Sequence, residues 1–223
     1  MADHSHTALI VVDNQIGAIS SSFWGPSRST PNYTTAISTI LSSFRSLQTS
    51  PNPPHIIHIY HSSTNALSPL HPSSPDINFH SSSIPADGEP VFSKSANSAF
   101  ITQSGPKSVA TQVSGLETYL KEKQIWKIYF VGLSVDLCLG STVRSASDLG
   151  VADHFDEGKV VKGDLVLVED AVAAWAKRDG NFDAETVCRV HVESLKGEYA
   201  RVVKVEDVLR EMGLEAGNER AVL

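Results

Sequence analysis

The sequence predicts an α/β fold: a three-layer αβα sandwich with a central, mostly parallel sheet of six strands. Short apolar runs typical of buried strands alternate with longer stretches typical of helices. This alternation is typical of βαβ units, whose right-handed crossovers place helices on both faces of the sheet. The chain has 223 residues, of which 41% are hydrophobic and 19% charged, so it can bury a sizeable core. We expect a single domain over residues 1–223.

The six predicted strands share a continuous apolar character and lie at 8–13, 56–61, 91–94, 126–132, 164–170 and 200–205. The helices expected between and after them lie at 34–49, 112–124, 137–149, 183–196 and 205–212. Asp183 is a suitable N-cap for the fourth of these helices, which ends near Gly197.

Two segments interrupt the alternation. Residues 62–90 are rich in Ser and Pro and follow the second strand, so they leave from its C-terminal end. A long loop in a compact domain is usually functional, and we expect a rim or lid of a pocket, or a contact with a neighbouring subunit. A plain solvated loop is the alternative. The charged segment 152–163 is expected to form a surface hairpin or loop.

Composition excludes several function classes. The net charge of −7, without a basic stripe, argues against nucleic-acid binding. No segment approaches the roughly 20 apolar residues of a membrane helix, and the polar N-terminus does not resemble a secretory signal. The two cysteines, Cys138 and Cys188, form neither a metal-type pair nor a disulfide framework, which suits a reducing cytoplasm. We expect Cys188 to be a packing residue within a helix.

Cys138 carries the strongest chemical signal. It follows an apolar run that ends at Gly132 and a short polar turn, and it opens a predicted helix. A thiol at a helix N-terminus lies near unpaired backbone N–H groups and a positive dipole, which favour the nucleophilic thiolate. The alternative is a small buried hydrophobe, the usual fate of a free cysteine.

Two other apolar runs end in charged residues. Asp13 ends the first strand, at the edge where open parallel sheets bind their ligands. It could equally end the strand or cap the next element. Lys94 ends the third strand among small residues, and its alternative interpretation is a solvated loop lysine.

Together these windows resemble the isochorismatase-like cysteine hydrolase superfamily, over about residues 7–210. That family carries an Asp after the first strand, a Lys followed by a Ser-Ala-Phe-like segment, and a Cys shortly after a Val-Gly turn. Here these are Asp13, Lys94 with residues 98–100, and Cys138 after residues 131–132, in the family's order. The resemblance implies the family's Rossmann-like topology and a catalytic triad of Asp13, Lys94 and Cys138.

The implied reaction is hydrolysis of a C–N bond, of amide or ureide type, in a small molecule. Cys138 attacks the carbonyl carbon, and Asp13 takes the thiol proton and delivers it to the leaving nitrogen. Lys94 pairs with Asp13 and is expected to lower the thiol pKa, so that Cys138 is alkylated faster than Cys188. By resemblance, the backbone N–H groups of Ser134 and Cys138 form the oxyanion hole, next to a cis peptide bond between residues 133 and 134.

Five further residues are candidates for substrate binding. Two are polar residues at strand ends and three are aromatic candidates for the pocket wall: Gln15, His61, Trp24, Phe100 and Trp175. Each has a structural alternative: a strand-end polar residue for Gln15 and His61, and core or rim for the aromatic residues.

The sequence predicts neither metal nor cofactor. Nicotinamidases of this superfamily bind a divalent ion through an Asp-x-His after the second strand and further histidines, and no Asp precedes a histidine at that place here. His58 and His61 are three residues apart and should face opposite sides of a strand, and His71 and His80 lie in the loop. This departure also weakens nicotinamide as a substrate.

Two other functions remain open. The first is isochorismatase-type hydrolysis of a vinyl ether, which many family members achieve without the cysteine. The second is a non-catalytic member that binds a small molecule. A flavodoxin-like nucleotide binder is disfavoured because no Gly-rich phosphate loop follows the first strand. The resemblance also implies a homo-oligomer, a dimer or a tetramer.

Overall fold

The computed structural model describes residues 2–101 and 115–214. Its strands, in chain order, are β1 (Thr7–Val12), β2 (His55–His61), β3 (Val91–Lys94), β4 (Lys127–Leu133), β5 (His154–Asp156), β6 (Lys159–Val161), β7 (Asp164–Ala173) and β8 (Arg201–Val203). Its helices are α1 (Ile16–Ser20), α2 (Tyr33–Ser46), α3 (Gly115–Glu122), α4 (Cys138–Asp148), α5 (Ala184–Leu195) and α6 (Val205–Glu211). None of the helices described is long and apolar enough to cross a membrane.

A six-stranded sheet with the order β3-β2-β1-β4-β7-β8 forms the central layer, and every pair of neighbouring strands in it is parallel. Alternate residues of β1 point to opposite faces, because side chains alternate along a strand. Ala8 and Ile10 join the core formed with α3, α4 and α5, whereas Leu9 and Val11 join the core formed with α1, α2 and α6. The predicted three-layer fold is confirmed.

Several boundaries differ from the sequence prediction. Strand β7 continues to Ala173, three residues beyond the predicted end. Glu169 and Asp170 interrupt its apolar pattern, which suggested an end at residue 170, but the strand runs on through them. The Asp170 carboxylate accepts the Val205 N–H at the start of α6, which gives this acid a capping role. Strand β8 is shorter than predicted, and the short helix α1 was not expected. The first three residues of the predicted helix 112–124 lie outside the described residues.

Both interrupting segments have defined structure. Residues 152–163 contain the predicted hairpin, made of the antiparallel strands β5 and β6. The 62–90 loop carries two short 3₁₀ turns, at Pro75–Ile77 and Ser81–Ser83, and it is bonded to the end of β1. Ile16 N–H donates to the Asn78 carbonyl and His80 N–H to the Asn14 carbonyl, both at 2.9 Å. The loop is therefore fixed beside the residues that follow β1.

The chain order of the sheet reverses between β1 and β4, so the C-terminal ends of these strands flank a crevice. Gly132 lets the two strands close there. Its φ is +123°, and a Cβ at this position would lie 2.1 Å from the carbonyl oxygen of Val12. Only glycine fits this backbone without moving β1.

We predict that Gly132→Ala lowers the free energy of unfolding by about 3 kcal/mol or more, because the new methyl group collides with the backbone of β1. Urea denaturation measures the loss. The matched control is Gly158→Ala in the β5–β6 hairpin, where φ is +79° and nothing lies within 4 Å of the added Cβ. The control should cost only about 1 kcal/mol. Equal losses in the two variants would contradict the close approach of β1 and β4.

Candidate active site

Four strands bring polar side chains to one edge of the sheet. Asp13 follows β1, His61 and Lys94 end β2 and β3, and Cys138 opens α4 after β4. Asp13 has a φ of +50°, a left-handed conformation that is uncommon for a residue with a side chain and that clusters at functional sites. The parallel topology therefore gathers residues that are up to 125 positions apart, as Asp13 and Cys138 are (138 − 13).

The Lys94 ammonium lies at the centre of this group. It donates to Asp13 Oδ2 at 2.6 Å, to the Ala96 carbonyl at 3.2 Å and to His61 Nδ1 at 3.2 Å. An ammonium has three protons and no acceptor, and Lys94 also interacts with the side chain of Cys138, so its protons are shared among the groups of the site. Both members of the ion pair are buried, with Asp13 3% and Lys94 5% exposed. Burial disfavours the charged lysine, whereas its ion pair and hydrogen bond with Asp13 favour it, and the pKa of Lys94 is raised.

Asp13 presents its second carboxylate oxygen towards the remaining member of the group. Oδ1 is buried and has no hydrogen-bond partner within the described ranges. Buried polar atoms are rarely left unpaired, so this one needs an explanation. A carboxylate oxygen of Asp13, a ring nitrogen of His61 and the sulfur of Cys138 all lie within 4.8 Å of one another. Oδ1 is thus the oxygen free to receive the thiol proton.

The pKa of the Cys138 thiol differs from the prediction. Burial, followed by the negative charge of Asp13, raises its pKa to about 12, against the opposing effect of Lys94. Lys94 lowers the pKa of the thiol as predicted, but burial and the carboxylate of Asp13 outweigh its effect, so the expected net depression of the thiol pKa is not found. Sγ contacts Asn97 Oδ1 at 3.7 Å. The resting residue is a neutral thiol beside a carboxylate.

The turn before α4 carries the backbone N–H groups that the sequence analysis assigned to the oxyanion hole. The peptide bond between Leu133 and Ser134 is cis. Among the described residues, neither the Ser134 nor the Cys138 N–H donates a hydrogen bond, whereas the neighbouring Val135 N–H donates to Ala173. The Ser134 hydroxyl donates to Asp136, which also pairs with Lys177 at 2.7 Å. These bonds fix the turn around the two free N–H groups.

A cavity of about 230 Å³ opens over this group. Trp24 and Trp175 form part of its apolar wall, and each indole N–H is already bonded, to the carbonyls of Gly17 and Ala18. The 62–90 loop contributes the opposite part of the wall through Ser63, Asn65, Ser68 and Leu70. Since the first part of this loop lines the cavity, the interpretation of the segment as a pocket rim fits the structure.

Three of the five candidate binding residues, Trp24, His61 and Trp175, line the cavity, and the other two do not. Gln15 is fully buried: its carbonyl accepts the His61 N–H, and its amide donates to the carbonyls of His61 and Ile77. Phe100 lies in the hydrophobic core. Gln15 is therefore a polar residue that bonds the strand ends, and Phe100 is a core residue, which are the alternatives that the sequence analysis gave for them.

Asp13, His61 and Cys138 also form a set of possible metal ligands. Lys94 already occupies Asp13 Oδ2 and His61 Nδ1, so a divalent ion on those atoms would face an ammonium at short range. His58 faces away and bonds to Glu89 at 2.8 Å, and the loop histidines His71 and His80 bond to neighbouring serines. The donor set is thus better matched to the lysine than to a metal.

Comparison with known proteins shows the family of this chain. The model of the isochorismatase domain matches residues 7–187. The chain belongs to the isochorismatase family, and its fold is that of the family's hydrolases.

Its relatives are distant in sequence and similar in structure. The uncharacterised isochorismatase family protein YrdC of Bacillus subtilis is 28% identical over 159 residues, covering 70% of this chain and 73% of the relative. A crystal structure of an isochorismatase-family protein from Chromobacterium violaceum superposes with a TM-score of 0.74 at 27% identity, covering 94% of each chain. A cysteine hydrolase from Pseudomonas syringae pv. phaseolicola has a TM-score of 0.72 at 18% identity, covering 95% of this chain and 94% of that one, which shows the fold alone.

The sequence analysis missed several residues that line the cavity, among them Asn97, Phe23 and Lys177. Asn97, beside the sulfur, lies within the window that identified Lys94, and its position among small residues gave it no distinct signal. Phe23 and Lys177 also line the cavity. Each lies within two residues of a tryptophan that was singled out, so adjacency to Trp24 and Trp175 was the available signal.

We predict that alkylation of Cys138 by iodoacetamide is slow at neutral pH and rises about tenfold per pH unit between about pH 7 and pH 10, without a plateau. The reason is that the thiolate fraction grows with pH until the pKa of about 12 is reached. Mass spectrometry of the Cys138 peptide measures the rate, and Cys188→Ser removes the competing thiol.

Asp13→Asn provides the matched control. Because it removes the negative charge and leaves that of Lys94, it should lower the thiol pKa and speed alkylation at pH 7, while it abolishes turnover. Slower alkylation in Asp13→Asn, or a plateau near pH 8 in the unmodified chain, would contradict the electrostatics described.

Proposed function

We propose that this protein is a cysteine-dependent hydrolase that cleaves a C–N bond of a small, uncharged amide through a covalent acyl-enzyme. The observation that carries this proposal is the placement of Cys138. Its sulfur lies within 4.8 Å of a carboxylate oxygen of Asp13, and in the turn that leads to it the N–H groups of Ser134 and Cys138 donate no hydrogen bond among the described residues. A nucleophile, a proton acceptor and oxyanion donors are what acyl transfer requires.

Acylation begins with the neutral thiol. As Sγ attacks the carbonyl carbon, the S–H proton passes to Asp13 Oδ1 and the carbonyl oxygen becomes an oxyanion. The N–H groups of Ser134 and Cys138 stabilise that oxyanion. When the tetrahedral intermediate collapses, the protonated Asp13 gives its proton to the leaving nitrogen, so the amine or ammonia departs neutral and a thioester remains on Cys138.

Deacylation repeats these steps with water as the nucleophile. Asp13 accepts a proton from a water molecule, the resulting hydroxide attacks the thioester carbon, and the same N–H groups hold the oxyanion. The C–S bond then breaks, the carboxylic acid leaves, and the thiolate recovers its proton from Asp13. Lys94 is bonded to Oδ2 throughout, so it orients the carboxylate and leaves Oδ1 to move the proton.

The electrostatics of the cavity support an uncharged substrate. Asp13 is paired with Lys94, and Lys177 is paired with Asp136, whose side chain is 3% exposed. Each charge at the wall is therefore balanced locally. A cavity of about 230 Å³ is below the usual range for drug-sized ligands, which favours a substrate of few heavy atoms.

The test is ammonia release across a panel of small amides, carbamates and ureides, with isochorismate alongside. We expect turnover of at least one uncharged amide and none of isochorismate. Turnover of isochorismate alone, retained by Cys138→Ala, would instead favour acid catalysis by Asp13 on a vinyl ether.

Cys138→Ala should abolish amide turnover and leave the fold intact, because the change removes one sulfur atom and costs on the order of 1–2 kcal/mol. Cys138→Ser should not restore turnover, since a hydroxyl is much harder to ionise than a thiol. Both are measured as kcat on the best amide of the panel, with Cys188→Ser as the control. A retained kcat in Cys138→Ala would remove the covalent mechanism.

We further expect full activity after exhaustive dialysis against a chelator, because the Lys94 ammonium, bonded to both Asp13 and His61, would repel a divalent cation held by the same side chains. The measurement is kcat before and after dialysis, together with zinc and iron content by elemental analysis. Activity that is lost on chelation and restored by added metal would mean that a metal replaces Lys94 at Asp13 and His61.

A further inference from the structure

A pair of side chains closes the turn that leads from β4 to α4. Asp136 lies within this turn, and its Oδ1 accepts the hydroxyl proton of Ser134. The carbonyl of Ser134 accepts the N–H groups of Leu137 and Leu139, at 2.9 and 3.0 Å. Ser134 is thus held by its hydroxyl and by its carbonyl, and its own N–H is left without a partner among the described residues.

The end of β7 and the chain after it anchor this turn. The carbonyl of Ala173, which ends β7, accepts the Val135 N–H at 3.0 Å and lies 3.3 Å from the Ser134 hydroxyl. Further along the chain, the Lys177 ammonium donates to Asp136 Oδ2 at 2.7 Å. Both oxygens of this carboxylate are therefore engaged, one by the turn itself and the other by a lysine that lines the cavity.

The negative charge of Asp136 would oppose the proposed reaction if it were not neutralised. The Asp136 side chain is only 3% exposed, so water and salt screen its charge little. Its carboxylate contacts Ser134, the residue whose N–H is proposed to stabilise the oxyanion, and two negative charges at such short range repel each other. The Lys177 ammonium cancels this charge from the side of the cavity.

We propose that Asp136 and Lys177 are positioning residues of the oxyanion hole. Asp136 holds the hydroxyl of Ser134, so that the N–H of Ser134 stays aimed at the oxygen of the reacting carbonyl. Lys177 holds Asp136 in turn and neutralises its charge. Donors of this kind are effective because they are fixed before the charge develops. The proposal rests on the amide hydrolysis described above, and it assigns two residues outside the catalytic triad.

Removal of the Ser134 hydroxyl tests the bond to Asp136. Ser134→Ala keeps the backbone N–H, so kcat on the best amide of the panel should fall about tenfold while KM changes by less than about twofold. Ser134→Thr keeps a hydroxyl and should keep kcat within about threefold of the unmodified chain. An unchanged kcat in Ser134→Ala, or an equal loss in both variants, would overturn the proposal.

Alkylation of Cys138 separates positioning from general damage to the site. Iodoacetamide reacts by displacement of iodide at a CH₂ group, so no oxyanion forms and oxyanion donors should not affect the rate. With Cys188→Ser in both backgrounds, Ser134→Ala and its parent should therefore be alkylated at Cys138 at rates within about twofold of each other. A fall in alkylation as large as the fall in kcat would show that the hydroxyl merely maintains the site, which contradicts a positioning role.

A double-mutant cycle tests the neutralising role of Lys177. Lys177→Met leaves the buried carboxylate uncompensated and should lower kcat about tenfold. Asp136→Asn keeps an oxygen for the Ser134 hydroxyl and removes the charge, so the double variant should recover kcat to within about threefold of the unmodified chain. An unchanged kcat in Lys177→Met, or a double variant no faster than Lys177→Met, would overturn this role. Lys162→Met is the matched control, because its pair with Asp153, at 2.9 Å, flanks the β5–β6 hairpin, and it should leave kcat unchanged.

A binding probe tests the same turn without amide turnover. Benzaldehyde can add to the Cys138 thiol: Sγ bonds to the carbonyl carbon, and the thiol proton ends on the carbonyl oxygen, which then takes the position of the oxyanion. Protection of Cys138 from iodoacetamide measures the Kd of benzaldehyde, and Ser134→Ala should raise this Kd about fivefold.

The outcomes separate this proposal from the proposed function. If the amide hydrolysis is wrong, no amide is turned over, although benzaldehyde still protects Cys138 and Ser134→Ala still weakens that protection. If only the positioning role is wrong, amides are hydrolysed while Ser134→Ala changes neither kcat nor the Kd of benzaldehyde. No protection by benzaldehyde in the unmodified chain would also overturn the positioning role.

Discussion

The buried ammonium of Lys94 is the constraint on which the rest of the site depends. It donates to the side chain of Asp13, the carbonyl of Ala96 and the ring of His61, which belong to different segments of the chain. Removing a charge from water is costly, and it is tolerated inside a protein only when the charge is paired and fully hydrogen-bonded. The hydrogen bonds of Lys94 therefore tie its partners to one another. The ion pair therefore holds the ends of β1, β2 and β3 in one geometry.

The same bonds determine the chemistry of the neighbouring atoms. Since Lys94 takes Oδ2 of Asp13, Oδ1 is the carboxylate oxygen that remains for the thiol. The carboxylate balances the ammonium, so burial keeps Cys138 as a thiol. Oxidation and alkylation follow thiolate character, and a resting thiol of this kind resists both. We propose that its proton leaves only when a carbonyl carbon is present to be attacked.

The sequence predicted the parts of this arrangement that depend on local pattern. Apolar runs located all six strands of the sheet, and the charged residues at their ends located Asp13 and Lys94. The resemblance to a known family identified these two residues, together with Cys138, as a catalytic triad. Gln15 was a candidate for substrate binding, with a strand-end polar residue as the alternative. Its side chain is hydrogen-bonded to backbone groups of His61 and Ile77, and partners 46 and 62 residues away cannot be recognised from the local sequence.

The thiol pKa shows why electrostatics is harder to predict than fold. Lys94 and the helix N-terminus were visible in the sequence, and both favour a thiolate. The depth of burial and the fact that Asp13 cancels the charge of Lys94 depend on the packed structure. The left-handed backbone conformation of Asp13 also depends on the packed structure, since nothing in an Asp-Asn-Gln sequence requires a φ of +50°.

Partition of the acyl group between water and hydroxylamine tests the covalent role of Cys138 most directly. With a hydrolysed amide, added hydroxylamine should intercept the thioester, so that a hydroxamate forms at the expense of the carboxylic acid. Asp13→Asn and Cys138→Ala should form neither product. Ammonia release that yields only carboxylic acid at every hydroxylamine concentration would contradict an acyl-enzyme on Cys138.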